Sequence, residues 1–161
     1  MHSHIHEFLR AGYEDPSRRR SYIKGYKYRP DYSDGEAAVY TRDGHAVFVA
    51  RGSKANLFHK DWIGRRGNVA NVFGYDIRDS KQYANLAGKR QRLDRDGYDV
   101  VALGHSRGGA LVDQLNRDKP FRHVFDVDAP SFWHKHSRGE NQTSIRSSTD
   151  PVSLFNPHPR S

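Results

Sequence analysis

The segment Gly104-His105-Ser106-Arg107-Gly108-Gly109 has the residue types and spacing that could do chemistry. A serine hydroxyl is a weak nucleophile until a neutral imidazole takes its proton and a carboxylate holds that imidazole in one tautomer. It must also be presented on a sharp turn. Glycines two residues to either side permit one, because side chains at 104 and 108 would collide with backbone where the chain reverses around Ser106. A helix opening just after the serine would aim free N–H groups at the place where charge builds on a tetrahedral intermediate. The chemistry so described is acyl transfer through a covalent serine ester, and it calls for no metal or cofactor. The imidazoles downstream of Ser106 are His123, His134, His136 and His158, and the carboxylates that could orient one include Asp126, Asp128 and Asp150.

Such a serine needs a buried strand before it and a helix after it. Tyr98 to Leu103 is a short, nearly continuous apolar run, as expected of a strand covered on both faces. A helix fits Arg107 to about Arg117 and ends at the breaker Lys119-Pro120. Upstream, Ala38 to Thr41 and His45 to Ala50 are β-prone runs separated by Arg42-Asp43-Gly44, which predicts a hairpin over about 37–50. Asp79 or Ser80 caps a predicted helix reaching about Asp96, with Tyr83, Leu86, Ala87 and Leu93 inward and Gly97 as its stop. Further strands are expected at Arg122 to Val127 and, more weakly, Ser144 to Ser147. Residues 52–78, with four glycines among Leu57, Phe58, Trp62 and Ile63, read as a short helix and loops over one end of the sheet. This alternation predicts an α/β sandwich, a mixed sheet with parallel central strands and helices on both faces.

The 161 residues correspond to one domain, with residues 1–36 an N-terminal arm carrying a short helix and 37–161 the core. Three alternating imidazoles, His2, His4 and His6, could bind a metal on an extended strand, but nothing nearby completes a shell, so the terminus reads as frayed before a short helix. Residues 13–36, rich in Tyr, Arg, Gly, Pro and Asp, read as an ordered but irregular arm. The absence of cysteine excludes disulfide scaffolds, thiolate zinc sites and cysteine nucleophiles. No run approaches the roughly 18 apolar residues of a spanning helix, and the N-terminus lacks the apolar stretch of a signal peptide, so a soluble chain is expected. Lys and Arg number 27 against 19 Asp and Glu, a net charge of +8 that favours anionic partners without choosing among them. Its densest patches, Arg18 to Arg20, Arg65–Arg66 and Lys89 to Arg92, lie far apart, and most of the charge reads as solvated surface.

A family resemblance rests on three ordered motifs. Val47 to Ser53 ending in Arg51-Gly52-Ser53, then Asp61-Trp62, then Gly104 to Leu111, resembles the class 3 lipases in order and approximate spacing. The upstream Gly25-Tyr26-Lys27 to Ser33-Asp34 segment and the Val39-Tyr40 strand are similar to a compact lipase-like subset. The resemblance implies a minimal α/β-hydrolase fold in which Ser106 sits on a nucleophile elbow and the triad follows the chain order serine, acid, histidine. It implies Asp150, in Asp150-Pro151-Val152, as the acid, with Asp126 and Asp128 as competitors. His158 is the one histidine after that acid and becomes the base, although larger family members separate acid and base much further. Ser53 and the backbone N–H of Arg107 become the oxyanion hole, Ser53 being alternatively a loop hydroxyl that caps a short helix. Leu57, Phe58 and Trp62 become an acyl pocket or small lid, or else simply close the core. Arg107 departs from the family's leucine: either any residue is tolerated there because the oxyanion donor is backbone, or a guanidinium beside the nucleophile biases the site toward esters carrying phosphate or carboxylate. The implied activity is that of a cofactor-free serine lipase, phospholipase or esterase acting on a lipid or other ester substrate, with an anionic membrane surface as a further candidate partner. A thioesterase or acyltransferase would use the same groups. The rival expectation is an inactive hydrolase-like basic module that binds nucleic acid, an anionic membrane or a larger assembly.

Overall fold

The computed structural model describes residues 4–52, 80–129 and 140–146. Seven strands run in chain order across one sheet: β1 (Tyr22–Ile23), β2 (Tyr26–Tyr28), β3 (Ala37–Arg42), β4 (His45–Ala50), β5 (Asp99–His105), β6 (His123–Val127) and β7 (Gln142–Ile145). Pairing is antiparallel from β1 to β4 and parallel from β4 to β7. Three helices pack on the sheet: α1 (Ile5–Tyr13), α2 (Lys81–Arg95) and α3 (Arg107–Asp118). The expected α/β sandwich with parallel central strands is present, and no helix among the described residues is long and apolar enough to cross a membrane.

The turn chemistry explains the β3–β4 hairpin. Asp43 and Gly44 lie at φ 48° and 82°, the pair of positive angles that a two-residue turn between right-twisted strands demands. Six residue pairs follow, from Arg42 opposite His45 to Ala37 opposite Ala50. Ser80 caps α2 by accepting the Tyr83 N–H at 3.0 Å, and Gly97 (φ 86°) leads the chain out of the helix into β5.

Side chains alternate between two cores, one on each face of the sheet. On one face Val39, Phe48 and Ala102 meet Leu86 and Leu93 of α2 and Leu111 and Leu115 of α3. On the other, Tyr40, Val47, Val49 and Leu103 meet Ile5, Phe8 and Leu9 of α1. Each buried side chain of that size contributes roughly 1.5–3 kcal/mol. Both helices that connect parallel strands, α2 and α3, lie on the same face, as one-handed crossovers adding strands in one direction require.

The short helix expected near the N-terminus is α1, and its Ile5, Phe8 and Leu9, at most 2% exposed, belong to the core on one face of the sheet. Residues 13–36 are not irregular throughout, because β1 and β2 extend the sheet beyond the hairpin. The basic patches are not wholly solvated: Arg19 and Arg90 are buried. The Arg90 guanidinium lies 3.9 Å from the Phe121 ring centroid, pairs with Asp94 at 3.0 Å and donates to the Lys119 and Pro120 carbonyls. The weak last strand spans Gln142–Ile145, slightly earlier than expected. Of residues 52–78, expected to form a short helix and loops, all but Gly52 lie outside the described residues.

Candidate active site

Ser106 joins the end of β5 to the start of α3 at φ 57°, ψ −120°. A side chain avoids that backbone conformation, which costs on the order of 1–3 kcal/mol unless its surroundings impose it. The surroundings are glycines. A Cβ at Gly104 would overlap the Gly108 carbonyl, and one at Gly108 would overlap the Ala50 carbonyl of β4. At Gly109 a Cβ would lie 3.1 Å from Ala129 Cβ and 3.2 Å from Asp126 Cβ. Two successive glycines in the first turn of a helix sacrifice roughly 0.5–1 kcal/mol each relative to alanine. That cost is the condition for α3 to start in backbone contact with both β4 and the end of β6.

The turn is anchored on both sides. The Ser106 N–H donates to the Val127 carbonyl at 2.9 Å, and the Ser106 carbonyl accepts from Ala110 N–H at 3.2 Å. Ser106 occupies the N-cap position of α3, yet its side chain makes no capping bond. A serine chosen for capping would use its hydroxyl there. Its exposure is 7%, and it stands at the positive end of the α3 dipole.

Arg107 begins α3. Its Nε donates to Gln82 Oε1 at 3.3 Å, while Gln82 Nε2 donates to the Arg51 carbonyl at 2.8 Å. Gln82, in the first turn of α2, therefore ties the residue after the serine to the end of β4. Arg51 is itself held by its Nη1 donating to the Gly35 carbonyl at 2.8 Å. Gly52 packs against the turn, where a Cβ would sit 2.7 Å from the His105 carbonyl and 2.5 Å from Tyr13 Oη. No signal for Gln82 was visible in the sequence, because a glutamine on a helix is ordinarily a solvated residue.

His105 is fully buried beneath the serine. Its Nδ1 lies 3.2 Å from Tyr13 Oη, and its Nε2 lies 3.6 Å from Asp128 Oδ2. Sequence reasoning missed Tyr13; the signal was Gly12, where a Cβ would come within 2.7 Å of Val49 Cγ1 and keep the end of α1 off the sheet. Burial pushes the Tyr13 hydroxyl well above the ordinary tyrosine range, with the Gly52 N–H and the Arg51 charge opposing that rise.

Of the residues expected to form the site, Ser106 and Arg107 are brought together here. Asp150, His158, Ser53, Leu57, Phe58 and Trp62 lie outside the described residues, as do His134 and His136. His123 starts β6, at the end of that strand away from Ser106, and its Nε2 contacts Thr143 Oγ1 at 2.8 Å. The two competing acids have different settings. Asp126 is committed to β7, its Oδ2 accepting from Gln142 Nε2 at 3.0 Å and Ser144 Oγ at 2.9 Å. Asp128 lies beyond the end of β6 with φ 52°, its N–H bonded to the Ile145 carbonyl and its carboxylate facing His105. Among the described residues no cluster of three or more His, Asp or Glu could hold a metal ion. Compared with known proteins, the chain matches no family model, no curated protein and no solved structure.

Proposed function

We propose that this chain is a serine hydrolase of carboxylic esters, with a minimal α/β-hydrolase fold resembling that of class 3 lipases. One observation carries the reading: Ser106 is held at φ 57°, ψ −120° in a strand-to-helix turn built from Gly104, Gly108 and Gly109, with its hydroxyl not used as a cap. The sheet also favours it, because the strand bearing the serine is central, flanked by parallel β4 and β6. In an open α/β sheet, ligands gather outside the carboxyl ends of such strands.

In this reading His158 takes the Ser106 proton as the hydroxyl attacks the ester carbonyl, and Asp150 fixes the imidazole tautomer and stabilises the imidazolium. The developing oxyanion is held by the backbone N–H of Arg107 and by Ser53, whose neighbour Gly52 packs against the turn. The imidazolium then protonates the leaving alcohol. Water, deprotonated by the same ring, attacks the serine ester, releasing the carboxylic acid and restoring Ser106.

The test is labelling by a fluorophosphonate, which reacts with activated serines. The wild type is expected to label, and Ser106→Ala to lose the signal completely; an unlabelled wild type rejects the reading and favours a basic binding module. Arg107→Leu refines it: labelling persists, while hydrolysis of esters bearing a phosphate or carboxylate falls about tenfold relative to neutral esters, roughly the 1.4 kcal/mol of one charge-assisted contact. An unchanged preference removes Arg107 from substrate selection.

A further inference from the structure

Three side chains that the proposed hydrolysis does not use meet under the turn. Tyr13 comes from the last position of α1, His105 from the last position of β5, and Asp128 from just beyond β6. His105 is 0% exposed and Tyr13 8%, so both rings have left water. The two rings meet edge to face, 5.9 Å between centroids at 76°.

The buried Tyr13 phenol keeps its proton, because ionising it there is costly. Its oxygen lies 3.2 Å from His105 Nδ1, so a single proton bridges phenol and imidazole. On the other edge of the ring, Nε2 faces Asp128 Oδ2 at 3.6 Å, an electrostatic contact longer than a hydrogen bond. At the other end, the phenol oxygen lies against Gly52, where a Cβ would come within 2.5 Å of it, and 3.5 Å from the His105 carbonyl.

The chain of contacts thus runs from the end of β4, through Tyr13 and His105, to the residue following Val127. Val127 is the residue whose carbonyl holds the Ser106 N–H. It connects the two backbone segments that must keep a fixed separation for attack: the Arg51-Gly52 loop leading to the oxyanion donor, and the serine turn. A misplacement of about 1 Å between such groups costs around a hundredfold in rate.

We propose that Tyr13, His105 and Asp128 form a buried positioning relay that fixes the Gly52 loop relative to Ser106. The relay rests on the reading of Ser106 as a nucleophile. His105 is a positioning residue, not the base, and α1 becomes part of the active-site support.

The experiment measures fluorophosphonate labelling at varied probe concentration, separating the limiting rate from the half-saturating concentration. Tyr13→Phe removes a single oxygen and His105→Ala removes the link. Each is expected to lower the limiting rate about 10- to 100-fold with half-saturation unchanged. His105→Asn, whose amide can stand near Nδ1, is expected to recover most of the rate. Tyr40→Phe is the control for stability alone: its hydroxyl is also buried, donates to the Arg20 carbonyl at 2.9 Å, and lies away from the turn. It is expected to label at the wild-type rate while shifting the unfolding midpoint as Tyr13→Phe does. Wild-type labelling with an unslowed Tyr13→Phe, or with Tyr40→Phe slowed equally, overturns the relay and leaves the hydrolase reading standing. An unlabelled wild type overturns both.

Discussion

At the Ser106 turn, Gly52, Gly104, Gly108 and Gly109 bring backbone against backbone, and the structure is held by side chains that are missing. At the other flank of the sheet the device is reversed. Arg19 reaches inward from an otherwise polar segment; its Nε donates to the Ala11 carbonyl at 2.8 Å, and Nη1 to Tyr28 Oη at 2.9 Å and the Ala37 carbonyl at 3.2 Å. It thereby fastens the carboxyl end of α1, where a cation is favoured, to β2 and β3. Arg29 does the same nearer the surface: it pairs with Asp31 at 2.8 Å, donates to Tyr98 Oη at 2.7 Å, and stacks over Tyr32 and Tyr98. Those bonds hold the Asp31 carboxyl below its usual range. The serine turn is thus fixed by steric closeness. A flank that must only stay attached is fixed by long polar side chains.

This contrast can be broken by exchanging the two devices. Gly108→Ala is expected to have the largest effect, because its Cβ meets the backbone of β4 rather than a movable side chain; a loss of about 3 kcal/mol, the upper end for overpacking, should appear as a lower urea midpoint with an unchanged slope. Arg19→Met keeps the stem but leaves the Ala11 and Ala37 carbonyls without their donor. It should cost about 2 kcal/mol by the same measurement, with no change in Ser106 labelling. Equal sensitivity of labelling to both variants would erase the distinction. The smallest effect sharpens it: Ser106→Gly removes the side chain from its strained backbone and should gain about 1 kcal/mol while abolishing labelling. A serine whose replacement by glycine destabilises the fold would instead be a structural residue.

The same contrast explains what could be read from the residues alone. The turn was legible because glycines speak through backbone geometry, which a short window contains: a strand-like run, Gly-x-Ser-x-Gly, and a helical stretch. The β3–β4 hairpin was legible for the same reason, through Asp43-Gly44. The arm was not. Arg19 reads as one of three surface arginines, and only the fold supplies the Ala11 and Ala37 carbonyls that draw it inside. Strands β1 and β2 are two and three residues long, too short for an alternating pattern to register. Their pairing depends on β3 being in place. Of the candidate site, the serine and Arg107 were legible as local features, whereas Tyr13 and Gln82 reach it from far along the chain. His105 was read only as part of the motif around the serine, and its two partners, 13 and 128, lie on separate elements.

The order of strands across the sheet is the order of the chain itself. During synthesis each strand therefore emerges to find its only earlier neighbour already made, and the sheet can lengthen at a single growing edge. The serine strand docks on β4, but the carbonyl that clasps its amide belongs to Val127, and the carboxylate facing His105 belongs to the next residue, so both leave the ribosome later. The contacts that hold the serine turn are therefore complete only once Val127 and Asp128 have joined the chain.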